Sequence, residues 1–428
     1  MKRIELFYGR GTKTASLDEE LLVKVLHPQA LPVKEDVAAE VRRAMEAPIG
    51  SERLSVLGRG RRDAVILACD LTRDVSDAVI IPMILDELNE AGIPDERIMI
   101  VIACGGHRPI TREEAQERFG NGVLSRVRWV NHDASDKASL VSIGTSSYGT
   151  EIWINRLVAE SDLIIGTGCI IPHVIAGYGG GRKLIVPGVA GEATIRRNHR
   201  PANVNTEGVG FCRVKGNVIH EELTEAARMA GLEFIVNVVW NGEGQLVKAV
   251  AGDMEAAWNH GVKVAARLYT VSVRGRYDIL LTSGGGAPTD VNFYQAVRGM
   301  QVGVPLVRDG GAIILVAECT EGVGSDPLYT WLRDATCPKD ILDRRDRGQF
   351  DIHGEHIACY LCDRVFPRMR VFLVSSISPK IVEEMMMTPA ETVEEAMEGA
   401  VSHVGITKPR VVVNPYGAKV VPTLEGDR

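Results

Sequence analysis

Aromatic side chains make up only 5% of this 428-residue chain, and cysteines number eight. The first shortage leaves few platforms on which bases could stack. The second is too small for a disulfide scaffold in a chain this long and fits a reducing compartment. A basic surplus is missing as well. Lys and Arg number 49 against 56 Asp and Glu, a net charge of −7, which excludes the electrostatic footprint of a duplex nucleic-acid binder. No apolar run is long enough to cross a bilayer. The longest, around 163–174, is broken by Gly166, Gly168, Pro172 and His173 and falls short of the ~20 residues a span requires. The first nine residues alternate like a strand and carry charge where a signal-peptide core would need none. These features lead us to expect a cytoplasmic protein with neither a nucleic-acid nor a membrane partner.

What the chain does have is 45% hydrophobic and 25% charged residues and 44 glycines, the make-up of a folded globular protein. At about 100–200 residues per domain the length suggests two domains. Short β-branched runs alternate with helix-length amphipathic segments, the pattern of α/β domains with mostly parallel sheets flanked by helices. Residues 64–69 read as a buried strand ending in Asp70-Leu71-Thr72-Arg73, followed by a helix over 76–91 with Gly92 beyond it. Residues 98–103 form the next strand, ending in Cys104-Gly105-Gly106-His107-Arg108-Pro109. Thr111 then stands as the N-cap of a helix over 112–119. A third strand, 163–166, runs into a Gly-rich loop. A second set of elements starts with a strand at 278–281, a Gly-rich loop at 283–288 and a helix over 291–304. We therefore expect an N-terminal α/β domain over 1–270, with the tail 408–428 returning to it, and a C-terminal α/β domain over 275–407. The active site is expected in the cleft between them.

In open α/β sheets ligands bind outside the carboxyl ends of the strands, so polar residues just after strand runs carry the first suspicion of chemistry. Here those residues are Asp70, Thr72 and Arg73, then His107 and Arg108, then His173, with Lys183 and His199 downstream. Tyr294, Gln295 and Arg298 follow the second Gly-rich loop. Taken one at a time, each has an ordinary structural role open to it as a cap or a surface ion pair. The run Gly177-Tyr178-Gly179-Gly180-Gly181-Arg182-Lys183 lacks the Ser or Thr and the glycine spacing of a P-loop and is no dinucleotide fingerprint. Cys359 and Cys362 have CxxC spacing but no second ligand pair, and read as small hydrophobes of a helix.

Together these residues resemble the lactate racemase family, whose members carry a nickel-pincer nucleotide. The resemblance runs through Asp70-Leu71-Thr72-Arg73, Gly106-His107-Arg108-Pro109, the block from Pro172-His173 to Arg182-Lys183, Pro187-Gly188-Val189, Asn198-His199 and Tyr294-Gln295-Ala296, in the family's order over most of the chain. It implies an isomerase that racemises or epimerises a 2-hydroxy acid by reversible hydride transfer. The cofactor it implies is Ni(II) pyridinium-3,5-bisthiocarboxylate mononucleotide, covalently attached at Lys183 and with His199 on the nickel. By the same resemblance His107 and His173 are the acid–base pair. Asp70, Leu71, Thr72 and Arg73 bind the cofactor, and Arg73, Tyr294, Gln295 and Arg298 bind substrate. Partners implied are the small-molecule substrate and the enzymes that make the cofactor, and a homo-oligomer is left open.

The chemistry suits these residue types. The C2–H of a hydroxy acid is barely acidic, whereas removing the hydroxyl proton while hydride leaves C2 gives a planar 2-keto acid without a carbanion. Histidine gives and takes a proton near neutrality, and neutral imidazole is a good nickel ligand. Two positions depart from the family pattern: Arg298 stands where lysine is usual, and His356 aligns with a tryptophan. They point to a more polar pocket than one for lactate itself. A sugar-acid epimerase or lyase with the same cofactor, and a non-catalytic nickel or nucleotide carrier, are the alternatives.

Overall fold

The computed structural model describes residues 2–73, 75–204, 206–349 and 354–425. The chain forms two units: Ala30–Leu268, and a second that takes the chain through Gln29 and again from Tyr269 onward.

The Ala30–Leu268 unit is built on a six-stranded sheet in the spatial order Leu246–Asp253, Leu232–Trp240, Ile164–Cys169, Ala64–Cys69, Ile98–Ala103, Arg128–Asn131. Every neighbouring pair is parallel except the edge pair of Leu246–Asp253 with Leu232–Trp240. A parallel sheet is covered on both faces, which is why Ala64-Val65-Ile66-Leu67-Ala68 is an unbroken apolar run and buried throughout. The helix Asp77–Glu90 follows that strand, close to its expected bounds. Thr111 does cap the next helix, Arg112–Leu124. Its Oγ1 accepts the Glu114 N–H at 3.2 Å while Glu114 accepts the Thr111 N–H at 2.8 Å, a reciprocal capping box. That helix runs past Phe119 because Gly120, at φ 74°, allows a kink rather than a stop.

Chain order decides where a ligand fits. From Ala64–Cys69 the chain moves to Ile98–Ala103 and Arg128–Asn131 on one side, then returns to Ile164–Cys169 and Leu232–Trp240 on the other. The reversal lies between Ala64–Cys69 and Ile164–Cys169, and a crevice opens outside the carboxyl ends of strands at such a switch point. Asp70 and His173 follow those two strands, and His107 follows the neighbouring one.

The second unit carries a six-stranded sheet that is parallel throughout, in the order Thr388–Ala390, Met369–Val374, Val307–Val316, Tyr277–Ser283, Val411–Asn414, Leu22–Val25. Successive residues of Val307–Val316 serve opposite faces: Ile313 and Leu315 enter one buried cluster, and Ala312, Ile314 and Val316 the other. Two expectations about the domains are corrected here. The tail does not return to the unit that precedes it in sequence, because Val411–Asn414 pairs with Tyr277–Ser283 and Val421–Leu424 with Thr270–Val273. The first residues also join this unit, with Leu22–Val25 on its edge. The physical reason is pairing. All four residues of Val411–Asn414 are buried, so the strand's backbone requires a hydrogen-bonding strand on each edge, and sequence periodicity does not say which sheet supplies them. No helix among the described residues is long and apolar enough to cross a membrane.

Candidate active site

Asp70 leaves the Ala64–Cys69 strand and turns back on itself, its Oδ1 accepting the Thr72 N–H at 3.0 Å and the Thr72 hydroxyl at 2.5 Å. The other oxygen, Oδ2, stands 2.5 Å from His107 Nδ1. Burial by itself would raise the Asp70 carboxyl. The His107 ring, the Thr72 hydroxyl and the Arg73 charge outweigh it and hold the group well below the usual carboxylate range. The carboxylate therefore accepts a hydrogen bond from His107 Nδ1–H, and the network assigns Nε2 as the basic nitrogen. Arg73 lies over the same turn, donating to the Thr72 carbonyl at 2.7 Å, and Leu71 packs half-buried against the core.

The Asp70–Arg73 turn is held from below by a residue that sequence reasoning missed. Arg118 donates to the Asp70 carbonyl at 3.0 Å and the Arg73 carbonyl at 2.9 Å, and pairs with the fully buried Asp77 at 2.6 Å. Asp77 also accepts the Thr167 hydroxyl at 2.7 Å. Arg118 sits on a helix 41 residues beyond Asp77, with no motif around it, so no local signal marks it.

His173 is fixed differently. Its Nδ1 faces the backbone N–H groups of Ile175 at 3.3 Å and Ala176 at 3.2 Å, and its Nε2 stands 2.9 Å from Lys183 Nζ. The loop between them packs tightly. Gly180 has φ 75°, and a Cβ there would meet Asn237 Oδ1 at 2.4 Å, so only glycine serves. Arg182, fully buried, points the other way from the loop surface. It donates to the Ala176, Tyr178 and Gly180 carbonyls and to His220 Nδ1, and its guanidinium lies 3.7 Å over the Trp258 ring. Trp258 Nε1 donates to the Gly179 carbonyl at 2.8 Å.

His199 is carried on another element, half-buried at the C-cap of helix Glu192–Asn198, where its N–H donates to the Ile195 carbonyl. Arg108 pairs with Glu114 through both terminal nitrogens, at 2.9 and 2.7 Å, and so helps close the capping box. Tyr294, Gln295 and Arg298 belong to the other unit, on helix Phe293–Gln301. Arg298 Nε donates to the Gln295 carbonyl at 3.0 Å and its NH2 to the Gln295 side chain. Tyr294 meets His356 edge-on with ring centroids 6.0 Å apart. Cys359 and Cys362 are buried free thiols of the core, both pushed up to about 12 by burial.

Two histidines of this set are held neutral. Burial, helped by the Arg182 and Arg228 charges, brings His220 down to about 3, and burial brings His356 down to about 4. An unfolded histidine protonates near 6.5. Below that pH the unfolded chain therefore binds protons that the folded one does not, and stability falls as pH drops. Thermal midpoints should decline between pH 6.5 and about 5, before most carboxylates titrate. His356→Phe should make that decline shallower, and an unchanged slope rules the His356 contribution out.

Histidines oriented by a carboxylate and by backbone, a lysine beside one of them, and a sheet switch point are the features of an active site in an α/β enzyme. Known proteins make the class specific. Residues 8–209 match the lactate racemase N-terminal domain and 273–422 the lactate racemase C-terminal domain. A lactate racemase of Thermoanaerobacterium thermosaccharolyticum is 34% identical over 98% of this chain and 99% of its own. One of Lactiplantibacillus plantarum is 35% identical over 98% and 100%. The solved lactate racemase apoprotein of T. thermosaccharolyticum superposes with a TM-score of 0.90 at 33% identity, covering 99% of this chain and 100% of that one. A Thermotoga maritima structure at 18% identity shares the fold, with a TM-score of 0.68 over 87% of this chain and 96% of that one. The chain belongs to the lactate racemase family.

Proposed function

We propose that this protein racemises a 2-hydroxy acid, with His107 and His173 as opposed acid–base groups. The observation that carries the reading is that the two rings have different partners at Nδ1, an acceptor at His107 and donors at His173, which assign them opposite tautomers. Asp70 accepts a hydrogen bond from His107 Nδ1–H and leaves Nε2 as a base, whereas two backbone N–H groups donating to His173 Nδ1 leave the proton on Nε2, as an acid. A racemase needs that pairing, since whichever enantiomer binds, one ring must accept the hydroxyl proton and the other must be able to return one. A carrier of nickel or nucleotide would have no use for it.

The donor set suits the family's cofactor. Lys183 presents an amine at the switch point, and the half-buried His199 offers a neutral imidazole of the kind nickel accepts. Among the described residues no group of three or more His, Cys, Asp or Glu converges as a metal site, so a metal here would draw its remaining donors from a bound group. We place the nickel-pincer nucleotide on Lys183 and His199, with Arg73 at its phosphate or at the substrate carboxylate. Bound there, it would supply an electrophilic carbon as acceptor for the C2 hydride. His107 and His173 then manage only the hydroxyl proton. Arg298, held by Gln295, is a forked donor suited to a substrate carboxylate, where the family usually has a point charge. Together with His356 beside Tyr294 it favours a 2-hydroxy acid more polar than lactate.

The reading is tested by offering cofactor-loaded protein a panel of chiral 2-hydroxy acids in D₂O. The substrate that turns over should racemise while C2 keeps its protium. Extensive deuterium at C2 would instead mean proton abstraction, and products that are not C2 epimers would mean a lyase.

A further inference from the structure

The contact between His173 and Lys183 has a direction. A neutral imidazole carries one ring proton, and the Ile175 and Ala176 N–H groups both point at Nδ1, so the proton is on Nε2. Nε2 is then the donor in its 2.9 Å contact with Lys183 Nζ, and Nζ accepts. An ammonium group has three donors and no lone pair and cannot accept. The neighbouring residue points the same way. Arg182 is fully buried, and among the described residues its donors meet only the carbonyls of 176, 178 and 180 and the His220 ring, with no carboxylate. Burial works against the guanidinium charge, yet those acceptors and the Trp258 face retain it. An uncompensated buried cation at position 182 disfavours a second one at position 183, a known way of activating a lysine.

We propose that Lys183 is a neutral, nucleophilic amine in the cofactor-free protein, kept so by His173 Nε2–H and the adjacent Arg182, and that it is thereby primed to be acylated. The identity of the acyl donor rests on the function proposed above; the state of the amine does not. With a thioacid, Lys183 nitrogen forms the C–N bond to the acyl carbon, and the acyl oxygen leaves as water with the thioacid proton and one amine proton. A thioamide carrying the second amine proton remains, with no oxidant or reductant consumed. Acylation removes the lone pair that His173 was donating to, so the same event that fixes the cofactor frees Nε2–H for substrate. His173 thus serves twice, first on the lysine and then in turnover.

The test uses the full-length apoprotein, a limiting amount of acetic anhydride at pH 7, and peptide mass spectrometry. Exposed Lys137 and Lys339 are the internal references. An ordinary lysine, with a pKa near 10.4, is less than about 0.1% free amine at pH 7, so a neutral Lys183 should label at least about tenfold faster despite being half-buried. His173→Phe, which removes the donor, should cut that preference at least severalfold while Lys137 and Lys339 keep their rates. Lys183 labelling no faster than the references in the wild type overturns the inference, as does an unchanged preference in His173→Phe. A cofactor adduct on some other residue in protein co-expressed with the cofactor-synthesis enzymes would overturn the proposed function instead, and would leave a fast-labelling Lys183 standing.

Discussion

Lys183→Ala is expected to abolish the cofactor adduct in protein co-expressed with the cofactor-synthesis enzymes and to lower racemase activity at least about a thousandfold. The size follows from what is lost. Covalent attachment turns a bimolecular encounter into a fixed geometry, and positioning of that kind is worth several kcal/mol of the barrier, ~7 or more in favourable cases. The fold should survive, because Lys183 is half-buried and the loop around it is secured by Arg182, Trp258 and Asn237 rather than by the lysine. The measurements are intact mass and initial rates in both directions. Full nickel-dependent activity in Lys183→Ala would remove the lysine from the mechanism and with it the attachment chemistry proposed here.

Asp70→Asn should lower kcat about 10²–10⁴-fold with a much smaller change in KM, and should leave the cofactor adduct in place. Asparagine keeps the shape of the turn, since its Oδ1 can still accept from Thr72. It cannot hold the Nδ1 proton of His107 as a carboxylate does, nor stabilise the imidazolium that forms when Nε2 takes a proton. The strength of the present pairing shows in how far Asp70 is held below an ordinary carboxylate although buried. His107→Ala should be at least as damaging, and the two changes combined should cost little more than His107→Ala alone, because both act through one proton. A loss confined to KM would reassign Asp70 to binding. Normal turnover in His107→Ala would leave the opposed-tautomer account without its base.

Much of this was legible in one dimension, for reasons that the elements show. Both faces of a parallel strand are covered, so 64–69 and 98–103 announce themselves as apolar runs, and the polar residues after them, Asp70 and His107, inherit positions at strand ends. The Thr111 cap and the glycines flanking Lys183 are likewise local, because helix ends and left-handed turns place demands on the residues that occupy them. The family followed from the same local blocks. The paths of the termini were not legible. Val411–Asn414 and Leu22–Val25 have strand character wherever they pair, and the sheet they join depends on residues more than a hundred positions away.

The shortage the chain begins with is of a piece with this. Few aromatics and few cysteines meant that disulfides would not organise the site and that stacking would have little to draw on, so backbone turns and charged side chains carry most of it. Which charges meet was a decision of the tertiary structure. Asp70 reaches His107 across 37 residues, Arg118 reaches back 41 residues to Asp77, and buried Arg182 meets no acid among the described residues and settles on Trp258. Hydrogen bonds fall off within a few tenths of an ångström and buried charges must be satisfied, so a side chain's partner, tautomer and protonation state are settled only when folding brings distant strands side by side. The polar residues at the strand ends were written in order along the chain; the contacts of Asp70 with His107 and of His173 with Lys183 exist only in three dimensions.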